Sequence, residues 1–279
     1  MTPLSLHNLF SVEDKVVVIT GGGRGLGKMM ADGFVQNGAR VYIASRDLKG
    51  CAATAQELMA RGSGHCIALE ADLQSERGCK QLAAAIAKQE SRVDVLINNS
   101  GVVWGGDFDH HPESAWTKVL TVNVTAPFYL IKYLLPLLDA AAATSDAARI
   151  INVGSVAGLV PQRLDTIAYD TSKAAIHHMT RVLAAKLARR SNGGHILVNA
   201  IAPGLVPSKM SNSISMVTDQ TLDEVATSIP IERFGEDADM AGLAIFLSSK
   251  ASGWITGMVI ASDGGQVYAM ETCVGPSKL

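Results

Sequence analysis

Three side chains in the middle of the sequence have the types and spacing needed for proton transfer. Tyr169 and Lys173 are four residues apart, so on a helix they project from one face about one turn from each other. A free tyrosine ionises near pH ~10, and a neighbouring ammonium stabilises the phenolate and lowers that pKa. Ser155 stands ahead of them on a turn bounded by Gly154 and Gly158. Its hydroxyl could donate a hydrogen bond to the same carbonyl oxygen that Tyr169 protonates.

A tyrosine and a lysine at this spacing also occur on an ordinary packed helix face, but glycines near the start of the chain favour the chemical interpretation. A β-branched run over 15–20 predicts a buried parallel strand. Gly21, Gly25 and Gly27 then lead into a helical pattern, with the spacing GxxxGxG rather than the generic GxGxxG. Glycines let the backbone pass close to a pyrophosphate, whose charge is met by free N–H groups at the helix start. The turn therefore predicts a dinucleotide site, which a hydride-transfer reaction needs.

The end of the second predicted strand, over 40–45, favours NADP over NAD. A dinucleotide fold usually places an acid there to bind the adenosine ribose. Here Ser45 and Arg46 occupy the strand end, and Arg24 lies within the glycine turn. Two guanidiniums are suited to clamp a ribose 2′-phosphate. Asp47 follows immediately and is a candidate contact to a ribose hydroxyl, while either arginine could instead be a solvated loop residue.

Strand and helix patterns alternate along the rest of the chain, which predicts a parallel sheet covered on both faces. We expect further strands over 65–69, 93–97, 149–153, 197–201 and 254–261, and helices over 49–61, 76–90, 116–138, 168–190 and 237–247. The chain, 1–279, is expected to form a single α/β domain of the Rossmann type, with a doubly wound parallel sheet. Ligands in such folds bind where the strands end.

Polar residues follow several of these strands. Asp72 and Leu73 come after the third strand, and the Asp72 carboxylate could accept a hydrogen bond from the adenine amino group. Asn99 and Gly101 belong to the run NNSG after the fourth strand, whose small side chains can lie along a cofactor. We expect these residues to meet the glycine turn at one edge of the sheet.

Asn123 lies inside the long helical pattern, between Val122 and Val124. A mid-helix asparagine is usually either exposed or hydrogen-bonded to its own backbone. The functional alternative is that a local kink frees its carbonyl to hold a water.

Residues 205–231 form a polar segment after the sixth strand. It is rich in Ser, Thr, Met and Asp, and it has Pro207 near its start and Pro230 near its end. A long insertion of this kind predicts a substrate lid.

Composition argues against several classes of function. The formal net charge of -2 leaves no basic face for nucleic acid. The sequence has no run of about 18 apolar residues, which a membrane-spanning helix would need, and its N-terminal residues lack a signal-peptide pattern. The histidine pairs at 110–111 and 177–178 are adjacent in sequence and do not point together on a helix, so no metal is expected. The cysteines are expected to be reduced packing thiols without a CxxC pattern: Cys51, Cys66, Cys79 and Cys273.

The ordered motifs TGGGRGLG, NNSG, the helical Asn123, Ser155, YDTSK, APG and WITG followed by DGG span residues 14–267. This series resembles the short-chain dehydrogenase/reductase (SDR) family, and its overall pattern is similar to the NADPH-dependent 3-ketoacyl reductases of the rhamnolipid-pathway type. The family commonly has Ala where Ser100 stands and Thr where Ser208 stands, which changes details of nicotinamide contact and not the reaction class.

The resemblance implies a role for each motif residue. Tyr169 would be the general acid in reduction, Lys173 would lower its pKa and hold the nicotinamide ribose, and Ser155 would orient the carbonyl. Asn123 would anchor a proton-relay water. Tyr169 and Lys173 would also contact the cofactor, together with the residues that the motifs place around it: Gly21, Arg24, Gly25, Leu26, Gly27, Ser45, Arg46, Asp72, Leu73, Asn99, Gly101, Pro203, Gly204, Val206 and Ser208.

The last three residues, Ser277, Lys278 and Leu279, match the peroxisomal address read from a free C-terminus, within a tail over 268–279. We expect a peroxisomal enzyme that binds the import receptor, with the cytoplasm as the fallback. Apolar positions on the two long helices, among them Ile176 and Val182, suggest a partner helix and a homodimer or homotetramer.

These observations favour an NADPH-dependent reductase that converts a ketone, such as a 3-oxoacyl thioester or a similar hydrophobic carbonyl, into a secondary alcohol. Other readings stay open: a reductase of secondary-metabolite or other small ketones, a 2,4-dienoyl-CoA reductase, or an NADP(H)-binding sensor without turnover. The complete set of Ser155, Tyr169, Lys173 and Asn123 favours carbonyl chemistry over the last two.

Overall fold

The strands form one parallel sheet whose C-terminal strand ends lie along a single edge. The computed structural model describes residues 4–207 and 221–269. In chain order, the strands within them are β1 (Val16–Thr20), β2 (Arg40–Ser45), β3 (His65–Glu70), β4 (Val95–Asn98), β5 (Ala148–Val153), β6 (Ile196–Pro203) and β7 (Val259–Ser262). Their order across the sheet is β3-β2-β1-β4-β5-β6-β7, with every neighbouring pair parallel. The predicted doubly wound α/β fold is confirmed.

Helices cover both faces of the sheet. They are α1 (Leu6–Phe10), α2 (Gly25–Gln36), α3 (Leu48–Met59), α4 (Glu76–Ala87), α5 (Glu113–Leu120), α6 (Ala126–Ala141), α7 (Ile167–Leu187), α8 (Leu222–Thr227) and α9 (Asp237–Ser248). Buried residues of α4, α6 and α7 form one core with the sheet, and those of α2, α3 and α9 form a second core on the opposite face.

Strand β1 shows why the sheet could be recognised from its apolar runs. Val16 and Val18 belong to the core on the α4, α6 and α7 side, whereas Val17 and Ile19 belong to the core on the other side. Every residue of β1 is buried. A strand covered on both faces has no polar face, so its sequence is a continuous β-branched run.

The binding edge lies where the chain changes direction between β1 and β4. These two strands are neighbours in the sheet although two strands separate them in sequence. The connections from β1 lead toward one side of the sheet, and those from β4 lead toward the other. In open α/β sheets this switch point forms the crevice in which ligands bind.

The predicted helix over 116–138 is interrupted in the structure. The helical run begins earlier, at α5, and ends later, at α6, and between them Thr121–Thr125 forms a π-helical turn. An inserted residue of this kind widens one turn and is frequent at functional sites. Asn123 lies at its centre.

The whole run Glu113–Ala141 has an 18-residue window that is long enough and apolar enough to cross a membrane, judged by length and composition only. Of that window, 44% is buried inside the protein. Leu130, Leu134 and Leu138 belong to the core shared with α4. We therefore interpret the run as a core helix.

The predicted strand over 254–261 is wrong at its start, because pairing begins only at Val259. The side chain of Trp254 is fully exposed in a turn. Thr256 Oγ1 accepts a hydrogen bond from the Val198 backbone, and Gly257 adopts a positive φ of 76°. These residues bend the chain around the edge of β6, so the apolar pattern there belongs to a turn.

Candidate active site

The glycine turn after β1 is shaped by backbone conformation and by lack of space. Gly21 and Gly25 have φ values of 66° and 53°, a region that favours glycine. A Cβ on Gly27 would lie 2.4 Å from the Gly21 carbonyl oxygen. The turn passes directly into α2, whose first N–H groups lack helical acceptors. Such a close-packed turn at a helix start fits the pyrophosphate of a dinucleotide.

The segment after β4 holds this turn in place through Thr20, a residue that the sequence reading did not identify. Thr20 Oγ1 accepts hydrogen bonds from the backbone N–H groups of Asn99 and Ser100, at 3.0 and 2.9 Å. Asn99 Nδ2 donates to the Thr20 carbonyl at 2.8 Å and to the Gly21 carbonyl at 3.2 Å. A hydroxyl at the end of a buried apolar strand was the available signal. Thr20 and Asn99 therefore fix the glycine turn against the segment that follows β4.

Two arginines stand at the end of the cradle nearest β2. Arg24 precedes α2 and makes no side-chain cap to it, and both Arg24 and Arg46 are exposed. In residues 4–207 and 221–269, neither guanidinium has an acidic partner within ion-pair distance. Ser45 and Asp47 close a local turn, since Ser45 Oγ accepts from the Asp47 N–H at 3.1 Å. Two free cations without a competing acid suit a phosphate on the ribose.

Asp47 does not point its carboxylate freely toward this end of the cradle. Its Oδ1 accepts from the Gly50 N–H at 2.9 Å and caps α3. Asp72 is likewise used locally, because it accepts hydrogen bonds from the backbone and side-chain amides of Gln74. Leu73 is buried at 7% exposure beside it. The structure therefore gives both acids a local hydrogen-bonding role alongside the predicted ligand contacts.

Helix α7 brings Tyr169 and Lys173 to the end of β5. The Lys173 Nζ atom lies 5.4 Å from the centre of the Tyr169 ring and donates a 2.9 Å hydrogen bond to the Val153 carbonyl. Ser155, two residues after Val153, begins the 3₁₀ turn Val156–Gly158. Its Oγ accepts from the Ala157 N–H at 3.1 Å. The three predicted residues thus meet at one strand end.

The expected effect of Lys173 on the phenol is not found in this structure. Burial raises the pKa of Tyr169 above its ordinary value, Asp170 raises it further, and the neighbouring Ser155 hydroxyl lowers it. Burial lowers the pKa of Lys173 itself to about 8. Desolvation of the phenolate is the largest cause of the upward shift, and Lys173, whose ammonium donates to the Val153 carbonyl, is not among the groups that lower the pKa of Tyr169. A neutral phenol is the form that can donate a proton to a carbonyl oxygen.

Asn123 is neither exposed nor bonded to its own helix. Its side chain is 3% exposed. Oδ1 accepts from the Val102 N–H, and Nδ2 donates to the Val102 carbonyl and to Ser172 Oγ, all at 2.9 Å. The Ser172 hydroxyl in turn donates to the Tyr169 carbonyl at 2.6 Å. The predicted kink is present as the π turn, and the side chain joins it to the loop after β4 and to α7.

Gly101 completes the floor of this group. A Cβ there would lie 3.5 Å from Asn123 Oδ1 and 3.6 Å from Lys173 Nζ. Gly101 is thus the point at which the cradle segment meets the residues of α7 and the π turn. On the other side of the edge, Pro203 ends β6 and Gly204 packs against the Gln266 side chain.

The predicted lid is described only in part. Val206 is buried, with 4% exposure, and belongs to the core with α2 and α9 rather than to an open surface. Ser208 lies outside the described residues. Helix α8 forms the later part of the segment, and a capping box between Thr221 and Glu224 begins it.

The cysteines and histidines of the described residues form no metal site. No group of three or more His, Cys, Asp or Glu in residues 4–207 and 221–269 could hold an ion. Cys51, Cys66 and Cys79 are buried free thiols, and burial raises the pKa of Cys66 to about 12 and that of Cys79 to about 11. High thiol pKa values mark packing rather than reactive cysteines.

A nucleotide cradle at the switch point of a parallel sheet, with a buried lysine and a neutral tyrosine beside it, defines a dinucleotide-dependent oxidoreductase. The sequence model of the short chain dehydrogenase family matches residues 15–218. The chain belongs to the short-chain dehydrogenase family. The motif resemblance found in the sequence is thereby confirmed.

Known proteins of this family are similar over nearly the whole chain. The chain is 44% identical, over 93% of its length and 99% of the other, to the rhamnolipids biosynthesis 3-oxoacyl-acyl-carrier-protein reductase of Pseudomonas aeruginosa. The RhlG/NADP active-site complex of Pseudomonas aeruginosa superimposes with a TM-score of 0.86, at 44% identity and with 93% and 99% of the two chains covered. The NADPH-dependent 3-quinuclidinone reductase of Rhodotorula rubra gives a TM-score of 0.84, at 27% identity and with 96% of each chain covered.

Proposed function

We propose that this protein is an NADPH-dependent reductase that converts a ketone into a secondary alcohol. The observation that carries the proposal is the meeting of Ser155, Tyr169 and Lys173 beside the glycine cradle. The guanidiniums of Arg24 and Arg46, which have no acidic partner among the described residues, support NADPH rather than NADH, because a ribose 2′-phosphate needs cationic partners. The NADP complex of one relative and the NADPH dependence named for another support the same choice.

In the proposed reaction, bound NADPH supplies the hydride that adds to the carbonyl carbon. Tyr169 donates the phenolic proton to the carbonyl oxygen as the C=O double bond becomes a C–O single bond, so the product is the alcohol. Ser155 donates a hydrogen bond to the same oxygen and orients it. Lys173 places a positive charge near the phenolate that is left. Its pKa of about 8 keeps most of the lysine charged at neutral pH.

For the substrate we propose a hydrophobic carbonyl compound, with a 3-oxoacyl thioester as the first candidate. The 44% identical relative is named as a 3-oxoacyl-acyl-carrier-protein reductase. The loop after β4 supports an apolar substrate. Val103, Trp104 and Phe108 on this loop are exposed by 40%, 37% and 79%, so three large apolar side chains within six residues of sequence are uncovered.

A small uncharged ketone is the second candidate. The charged side chains at the entrance to the site, which we define as the loop after β4 and the segment before α7, favour it. The loop after β4 meets the segment before α7 where the Gly106 N–H donates to the Asp165 carbonyl at 2.9 Å. Asp107, Asp109 and Asp165 are exposed on these two segments, against a single exposed arginine, Arg163. Coenzyme A and acidic carrier proteins are polyanions, which an acidic entrance repels.

The deciding experiment follows NADPH consumption with acetoacetyl-CoA, a medium-chain 3-oxoacyl-CoA, a dienoyl-CoA and a set of cyclic and aromatic ketones. NADH in place of NADPH and Tyr169→Phe are the controls. Turnover of the thioester ketones alone supports the first candidate, and turnover of free ketones alone supports the second. Turnover confined to the dienoyl-CoA, or tight NADPH binding without any turnover, contradicts ketone reduction.

We also propose two properties that rest on the sequence. Ser277, Lys278 and Leu279 lie outside the described residues and form a peroxisomal address when they end a chain. A fluorescent reporter ending in residues 268–279 should collect in peroxisomes, and one lacking Leu279 should remain in the cytoplasm.

The second property that we propose is assembly into a homodimer or homotetramer. Ile176 and Leu183 are buried within the fold, and Val182 is 38% exposed. The apolar surface of α7 that a partner helix could cover is therefore smaller than the sequence suggested.

A further inference from the structure

Helix α7 carries another buried polar side chain, His177, which the proposed chemistry does not use. It lies one turn beyond Lys173 on the same face and is 2% exposed. Burial lowers its pKa to about 4, so the imidazole is neutral at physiological pH. In residues 4–207 and 221–269 its Nδ1 atom makes no hydrogen bond of standard geometry, and the Gly158 backbone is the polar group near the ring that partly offsets the effect of burial on its pKa. A buried polar group whose hydrogen bonds are poorly formed costs stability, and a side chain chosen only for packing would avoid that cost.

The other ring nitrogen faces the residue that begins the catalytic turn. The Ser155 backbone N–H donates to His177 Nε2 at 3.4 Å. Gly154 is packed against the same ring, since a Cβ there would lie 2.0 Å from Nε2. The Gly154 N–H is bonded to the Ile201 carbonyl at 2.7 Å, which ties this end of the turn to β6. The imidazole therefore fills the space behind the turn and accepts a hydrogen bond from it.

The backbone of Ser155 sets the position of its hydroxyl. Ser155 is extended, with φ of -170° and ψ of 155°, and its Oγ already bonds the Ala157 N–H. Its carbonyl accepts from the Gly158 N–H at 3.0 Å, and its own N–H is anchored on His177 Nε2. If that acceptor is removed, the N–H is left without its partner, and rotation of the peptide to find another one moves Oγ relative to Tyr169.

We propose that His177 is a positioning residue that fixes Ser155, and through it the carbonyl of the substrate, for the proposed ketone reduction. It touches neither substrate nor cofactor in this proposal. The inference rests on the proposed function for its kinetic consequences, but the structural link between His177 and Ser155 can be measured without turnover.

The first test is a double-mutant cycle with the full-length protein. His177→Leu fills the space without an acceptor, and His177→Gln returns an amide oxygen near the position of Nε2. We expect His177→Leu to lower kcat about tenfold or more, because a small misplacement of an orienting group is costly. The affinity for NADPH should stay within about twofold of the wild type, since the cradle is untouched. His177→Gln should recover most of kcat, and His178→Leu, at the exposed neighbour, should leave kcat unchanged.

The cycle separates a positioning role from a packing role. In a Ser155→Ala background, His177→Leu should cost less than about twofold in kcat, because the group it positions is absent. An equal loss of kcat in both backgrounds, or no loss in either, overturns the proposal. Should His177→Leu fail to fold, His177→Met takes its place in the same cycle.

The second test reads the link directly. Backbone amide exchange, measured by mass spectrometry on peptides that cover 154–158, should be faster in His177→Leu than in the wild type and His178→Leu. Unchanged protection of this segment overturns the proposal whatever the kinetics show. A wild-type protein that binds NADPH but turns over no ketone would instead contradict the proposed function, and the exchange result would still decide the role of His177.

Discussion

Replacement of Asn123 by alanine tests whether the π turn organises the site. The substitution removes three hydrogen bonds from a side chain that is 3% exposed. Ser172 keeps its bond to the Tyr169 carbonyl, so the groups that lose their partners are the N–H and C=O of Val102. A buried polar group without a partner costs about 1–3 kcal/mol. Val102 is only partly buried, and two such groups at the lower part of that range give about 2–4 kcal/mol.

This loss of stability should be visible in thermal unfolding. For a domain of this size, each kcal/mol lowers Tm by roughly 2–4 °C, so Asn123→Ala should lower it by roughly 4–16 °C. Asn123→Asp keeps the acceptor for the Val102 N–H and loses the donors, so its Tm should lie between that of the wild type and that of Asn123→Ala. Thr125→Ala in the same π turn removes only an exposed 3.4 Å hydrogen bond to the Leu120 carbonyl and serves as the matched control.

Activity should fall further than stability alone requires. Val102 follows Gly101, which lies against Lys173, so release of this segment disturbs the floor of the site. We expect at least a tenfold loss of kcat, about the effect of a misplaced catalytic group, at a temperature where Asn123→Ala remains folded. A change in Tm below about 2 °C, or a kcat equal to that of Thr125→Ala, would refute the argument that Asn123 joins the π turn to the site.

Three further predictions concern the chemical groups. Tyr169→Phe should lower kcat by about 10²–10⁴-fold, with NADPH affinity unchanged by fluorescence titration, because it removes only the proton donor. Below pH about 8, Lys173→Met should be more stable than the wild type, because the wild type holds a charged lysine in a buried site. This difference in the free energy of unfolding should shrink as pH rises. Between pH about 8 and 10.5 the unfolded lysine is charged and the folded one is neutral, so the wild type gains about 3 kcal/mol over the variant in urea unfolding. A difference that is constant with pH would contradict a buried, depressed lysine. Arg24→Ala with Arg46→Ala should raise KM for NADPH by about 10²-fold, with little change for NADH, and equal effects on both cofactors would contradict phosphate recognition.

The sheet and the cradle could be predicted from the sequence because their signals are local. Strand β1 is buried on both faces, which leaves a run of β-branched residues, and the glycines follow it within one turn. The boundary of β7 could not be predicted in the same way. Whether an apolar residue such as Trp254 enters the sheet depends on the turn made by Gly257 and on a hydrogen bond to β6, neither of which is visible in periodicity.

The pKa of the phenol shows a second limit of sequence reasoning. The spacing of Tyr169 and Lys173 predicted that the cation would lower the pKa of the phenol, and the spacing itself is present in the structure. The shift is nevertheless upward, because burial of the phenol is its largest cause and the Lys173 ammonium, which is bonded to the Val153 carbonyl, does not contribute to it. Distance along a helix does not report the dielectric around it.

Long-range partners account for the rest of what was missed. Asn123 finds Val102 across 21 residues, and His177 finds Ser155 across 22. The histidine pair was interpreted correctly as two side chains that point apart, since His177 is buried and His178 is exposed. The same 3.6-residue period that places Tyr169 and Lys173 on one face of α7 also places His177 on it. In the proposed reaction, the helix face that carries the proton donor and its cation also supports the turn that orients the substrate, so that one rigid element would align both sides of the reacting carbonyl.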